Sequence, residues 1–282
     1  MARSVRDAAL LLDALAGYDP NDPITAYSVG QVPTTYTSFL QDGLRGMRIG
    51  VVREPIAPDT DTSAEDYQQI WAAIDRAVAA MANRGAEVVD PVPFAAILEI
   101  LRRPGASGER EAAFDEYLAA HPNAPVATLR EVVESPDHLV LPAQRSLLAE
   151  GLGQTTDDPR FLRALLNRDQ LRQELLKTMA DNGLDALTYP TLNHNPALIP
   201  ADIMTTSEVQ RGRGGNNALS PAVGFPAITV PAGFTIVGLP IGISFMGRPF
   251  SEGVLFRIAH GHEQTGPYRI PPLTVPPLPG EP

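Results

Sequence analysis

The feature that most limits what this chain can become is a strand, a helix and a second strand in immediate succession. Met47-Arg48-Ile49-Gly50-Val51-Val52 is an apolar run of strand length. A helix capped by Ser63 follows, with Trp71, Ile74, Val78 and Met81 on one face, and it stops at Gly85. Ala86-Glu87-Val88-Val89-Asp90 is a strand directly after it. A crossover helix between two strands brings them side by side in parallel, and parallel strands need helices over both faces. The chain is therefore expected to be α/β.

The rest of the chain extends this frame. Ser4 and Asp7 start an N-terminal helix whose face carries Val5, Ala8, Ala9, Leu12 and Leu15, and Gly17 ends it. Residues 18–40 are rich in turn formers. From 94 to 182 the pattern is mostly helical, and the strongest helix spans 158–182. Its apolar side carries Phe161, Leu162, Leu165, Leu166, Leu171, Leu175, Leu176 and Met179. Asp185–Tyr189 is a strand stopped by Pro190. Two more, Ala227–Val230 and Leu239–Met246, flank a glycine-containing turn, so the sheet is mixed. Residues 191–221 are irregular, with Arg211–Gly215 the loosest part. A last helix covers 251–264, and 266–282 form a proline-rich tail. With no repeat and no linker, residues 1–282 are expected to form one domain.

Composition narrows the function classes. A formal charge of −11 and a pI near 4.9 make nucleic acid and anionic membrane surfaces poor partners. No cysteine is present, which removes disulfides, thiolate metal sites and cysteine nucleophiles; the expected setting is cytoplasmic. No apolar run approaches the roughly 18–20 residues of a membrane span. Arg3 and Arg6 precede an apolar stretch, but Asp7 and Asp13 interrupt it, which suits an amphipathic helix better than a signal core.

Taken one by one, the reactive side chains form no catalytic set. His260 and His262 are two apart on a helix and point to different faces, so no metal site is expected. His194, between Asn193 and Asn195, can orient a ligand, although a turn-forming polar cluster accounts for it without one. Arg211-Gly212-Arg213-Gly214-Gly215 lacks the spacing of either phosphate-binding loop. Alternation puts Ser244 on a strand surface, and Ser220 before Pro221 reads as a turn. The single lysine, Lys177, lies in an amphipathic helix with no serine paired to it.

Several segments together resemble the amidase signature family. These are Met1–Gly17, Leu184-Asp185-Ala186-Leu187-Thr188-Tyr189-Pro190-Thr191, and Asn217–Gly247 with Gly224-Phe225-Pro226-Ala227-Ile228-Thr229-Val230-Pro231-Ala232-Gly233. The likeness continues through Gly247–Glu252 into Ala259–Gln264 and is weakest over 94–160. It implies hydrolysis of carboxamides by serine acyl transfer, with a second serine and a lysine as activators and backbone amides for the oxyanion, and no metal or organic cofactor.

No residue here matches the family's serine or lysine context. The resemblance therefore implies the C-terminal portion of one amidase domain, from a start assigned inside a longer gene or from a broken gene, inactive alone. The rival readings are half of a split amidase completed by a separate chain, and a degenerate binding protein. Tyr189, Thr191 and Asn217 are the expected substrate-pocket wall. A small amide is the expected substrate only when the missing part is supplied. A homodimer is one way to cover the apolar surface left open, and poor expression or aggregation is expected of the isolated chain.

Overall fold

The computed structural model describes residues 1–41, 43–103, 108–136, 140–206 and 214–270. Its helices are α1 (Val5–Leu15), α2 (Glu65–Asn83), α3 (Ala95–Leu101), α4 (Arg110–Ala119), α5 (Leu129–Glu134), α6 (Pro142–Ala149), α7 (Pro159–Asp181), α8 (Leu219–Val223) and α9 (Glu252–Glu263). The strands are β1 (Arg48–Val51), β2 (Glu87–Val89), β3 (Ala186–Pro190), β4 (Ala227–Phe234) and β5 (Pro240–Met246). They form one mixed sheet in the order β2-β1-β3-β5-β4. As expected, β1 and β2 run parallel, joined by α2. β3 pairs in parallel with β1 and antiparallel with β5, and it is buried along its whole length. β4 and β5 form the antiparallel hairpin.

The chain divides into two compact units, a division that no shift in composition announces. The first comprises Met1–Leu98, Gln173–Asn195 and the chain from Gly214 onward; the second comprises Glu99–Arg172 and Pro196–Arg213. In the first, α1, α2 and α9 cover one face of the sheet. The α2 positions Ile70, Trp71, Ala73, Ile74, Ala77, Val78 and Met81 are buried against Ile49, Val51, Val230, Ile243 and Phe245. This is the apolar stripe of a 3.6-residue period laid over alternate strand positions. Helix α9 can approach closely because two glycines face the chain before β1: a Cβ on Gly253 would lie 2.6 Å from the Phe39 ring, and one on Gly261 would lie 2.5 Å from Leu44. In the second unit, Thr128 caps α5 by accepting from the Glu131 amide at 3.1 Å, and Leu129 and Val133 bury its inner side.

Several local expectations change. Ser4 does cap α1, but Ser63 does not cap α2: its hydroxyl donates to Asp61 at 2.6 Å, and the helix starts two residues later after Ala64. Leu15 is 72% exposed, and in α7 Leu162 and Leu166 are exposed whereas Leu171, Leu175 and Met179 are buried. The wide apolar side of α7 thus reflects a register slip, and only its C-terminal part meets a core. Residues 18–40 include two short 3₁₀ turns, the second anchored where Asp13 accepts from the Tyr36 amide and the Thr35 hydroxyl, both at 2.6 Å. Residues 211–213 and the tail beyond 270 lie outside the described residues.

The opposite face of the sheet is covered unevenly. At its β1 end Val92 and Leu184 press on Gly50, where a Cβ would lie within 2.6 Å of both. At its β4 end Ala227, Thr229 and Pro231 are exposed. On the helix-covered side of the same β4 edge, between α1 and α9, runs an apolar groove of about 320 Å³ lined by Met1, Leu11, Leu15, Ala227, Ile228 and Phe256, among others. No helix among the described residues is long and apolar enough to cross a membrane.

Candidate functional site

The expected pocket residues lie where β3 runs out. Tyr189 pairs with Ser244 of β5, which in turn pairs with Thr229 of β4, so all three side chains share the unevenly covered face. Two residues on from Tyr189, Thr191 continues the same alternation. Its amide donates to the Gly242 carbonyl at 2.9 Å, which extends the β3–β5 ladder by one rung. The Thr191 and Ser244 hydroxyls are 2.8 Å apart, Ser244 and Thr229 are 2.9 Å apart, and Thr191 reaches Thr229 at 3.4 Å. Three uncharged hydroxyls therefore form a closed triangle. Gly242 leaves room for it, since a Cβ there would fall 2.7 Å from the Thr191 oxygen. Tyr189 is buried beside them, and burial pushes its phenol above the ordinary range.

The structure brings Tyr189 and Thr191 together but sets Asn217 apart. Asn217 is exposed just before α8 and takes no part in the triangle. Its neighbour Asn216 is the buried one, at 2% exposure. Asn216 donates to the Pro190 carbonyl at 2.7 Å and exchanges side-chain hydrogen bonds with Asn193 at 3.0 Å in both directions. Its oxygen also accepts from the Ala57 amide at 3.4 Å, and its own amide donates to the Thr191 carbonyl at 3.0 Å. One side chain thus joins the end of β3, the loop after β1 and the approach to α8. Nothing in the sequence separates Asn216 from Asn217, since the two are identical and lie in a segment without periodicity.

His194 and Ser244 also depart from expectation. His194 is not a solvated turn residue: it is 1% exposed, with Nδ1 3.0 Å from Asp66 and Nε2 3.0 Å from the Asp61 amide. The amide can only donate, so Nε2 accepts and Nδ1–H donates to Asp66. Both ring nitrogens are engaged, and the imidazole has no lone pair left for a substrate proton. Burial pushes the Asp66 carboxyl up, but the hydrogen bonds from His194 and the Asn195 amide outweigh it and leave it below its ordinary value. Ser244, expected on the surface, is 5% exposed because β5 lies between β3 and β4 rather than at an edge.

The other candidates are occupied. The Lys177 ammonium is exposed and bonded to Asp181 one turn on, which holds it protonated. The Ser220 hydroxyl lies in α8 rather than in a turn and donates to the Phe225 carbonyl at 2.7 Å. His262 is fully buried, and no cluster of three metal-ligating side chains occurs among the described residues. Among the described residues, the hydrogen-bond partners of the Ser220 and Ser244 hydroxyls include no titratable base.

Comparison with known proteins places this arrangement. The family model for Amidase matches residues 1–256. The chain belongs to the amidase family. Over 90 residues it is 36% identical to a glutamyl-tRNA(Gln) amidotransferase subunit of Desulfotalea psychrophila (strain LSv54 / DSM 12343), a match covering 32% of this chain and 17% of that one. Over 281 residues it is 27% identical to the corresponding protein of Koribacter versatilis (strain Ellin345), covering 93% of this chain and 54% of that one. The solved native peptide amidase of Stenotrophomonas maltophilia superposes with a TM-score of 0.72 at 31% identity, over 94% of this chain and 52% of that one. The chain spans about half the length of these relatives at most.

The buried Asp66–His194 pair generates a prediction. Because the Asp66 pKa is depressed on folding, its contribution is present above the unfolded value of about 4 and is lost as pH falls through the lower folded value. Asp66→Asn is expected to cost roughly 1–3 kcal/mol at neutral pH, with less loss near pH 3. Thermal melts at both pH values check this; an equal loss at each would contradict the assigned charge state.

Proposed function

We propose that this chain supplies one wall of the acyl pocket in a carboxamide hydrolase and does not turn over substrate by itself. Membership of the amidase family supports the reaction class. Acyl transfer to serine needs a nucleophile, a base to take its proton and donors for the oxyanion. The observation that carries the proposal is the pairing of the reactive groups. Among the described residues Ser220 and Ser244 bond only to neutral oxygens, Lys177 is tied to Asp181, and His194 has both nitrogens engaged. The hydroxyl triangle and Tyr189 are suited to lining a site, because they are polar enough to meet an amide and carry no charge at neutral pH.

In this reading the nucleophile and the lysine come from polypeptide beyond these residues, and a small-molecule amide is the substrate of the completed site. The exposed β4 positions and the adjoining apolar groove favour the split form, in which a separate chain completes the fold. Without it, a second copy covers the groove. The acidic, cysteine-free composition suits a cytoplasmic setting.

The test is to assay the 282-residue chain for ammonia release from a short peptide amide. The expected result is none above background; turnover that disappears in Ser244→Ala would overturn the proposal. Sedimentation of the same sample is expected to show a dimer or larger species, and a monomer at micromolar concentration would contradict the homodimer.

A further inference from the structure

We infer that His262 is a pH-sensitive latch that holds the segment after α9 against strand β4. His262 is 0% exposed near the end of α9. Its Nε2 lies 2.9 Å from the Pro231 carbonyl, which can only accept, so the ring presents Nε2–H there and leaves the Nδ1 lone pair. That Nδ1 is buried without a partner. One side of the imidazole stacks on Tyr268 at 4.6 Å and 13°, and Phe245 lies tilted at 6.1 Å.

The segment beyond the helix is folded on itself as well as on the histidine. The Thr265 amide donates to the His262 carbonyl at 2.8 Å, and the Thr265 and Tyr268 hydroxyls are 2.8 Å apart. Tyr268 therefore brings residues 265–268 with it as one unit.

A proton on Nδ1 turns a silent lone pair into a buried donor with nothing to accept it. An unsatisfied buried donor is costly, and a charged one more so. The surroundings offer little compensation. From β4 come Val230 and Pro231, and from β5 Phe245, none of them titratable. Arg3 ahead of α1 and Arg269 of the segment line the same cavity of about 240 Å³, and a guanidinium has no acceptor to offer a proton on Nδ1. Glu263 also lines it, but its carboxylate accepts from the Val5 amide at 3.1 Å. Arg84 of α2 donates to the Gln264 carbonyl at 2.9 Å, and His260 lies two residues back on α9. Burial accordingly pushes His262 below its ordinary value.

Lifting Tyr268 away is the cheapest route to water for the ring, because the other contacts belong to the sheet and the helix. The sign follows from this. A base with a depressed folded pKa keeps its full contribution above the unfolded value of about 6.5 and loses it as pH falls below. The latch is closed at pH 7.5 and opens toward pH 5.5, freeing residues 265–268 from the imidazole.

Hydrogen exchange of the whole chain at pH 7.5 and 5.5, corrected for intrinsic rates, tests this. Residues 265–270 are expected to lose protection several-fold at pH 5.5, about tenfold at most for one unit below the ordinary pKa, while α2 and β1 keep theirs. His262→Gln retains a donor for Pro231 and should abolish the pH response. Tyr268→Ala should leave the segment open at both pH values. Unchanged protection in the wild type, the same response in His262→Gln, or simultaneous loss in α2 and β1 would each overturn the latch.

Discussion

The candidate site depends on a buried amide pair. Asn193 and Asn216 satisfy one another, and Asn216 uses its remaining capacity on the Pro190 carbonyl and the Ala57 amide. Irregular backbone next to a fully buried strand leaves polar groups that must find partners, and a side-chain amide offers both donors and acceptors in one plane. With those partners in place, Thr191 emerges from β3 in register with Gly242, and its hydroxyl meets Ser244 and Thr229. The neighbouring His194–Asp66 pair anchors the same turn to the start of α2. What resembles a catalytic dyad is therefore a fastening, since neither of its ring nitrogens is free.

The face that carries Tyr189 and Ser244 has two kinds of surface. Toward β1 it is closed by large aliphatic side chains; toward β4 it presents hydroxyls.

Much of the fold was legible because it rests on periodicity. The β1–α2–β2 crossover, the β4–β5 hairpin, the cap at Ser4 and the span of α9 all follow from apolar spacing and turn chemistry over short distances. What escaped was set by contacts distant in sequence. Alternation put Ser244 outside, and only the placement of β5 between β3 and β4 buries it. His194 looked like part of a polar turn because its partners Asp61 and Asp66 lie some 130 residues away. The burial of His262 could not be read because Tyr268, which covers it, lies in an irregular segment. That Asn216 is buried and Asn217 exposed was hidden for a simpler reason: in a loop no period tells adjacent identical residues apart. Family resemblance singled out Tyr189 and Thr191, which the structure places on one face of the sheet beside Ser244.

The central claim is that Ser220 and Ser244 have no activating base among the described residues. The most direct measurement is reaction of the isolated chain with a fluorophosphonate probe, followed by intact-mass and peptide mapping. Such a probe reports nucleophilicity independently of substrate choice, because it phosphonylates any serine whose proton a neighbouring base removes. The account predicts no adduct under conditions that label an intact serine amidase to completion. A stoichiometric adduct at Ser220 or Ser244 would contradict it and make this chain a hydrolase in its own right.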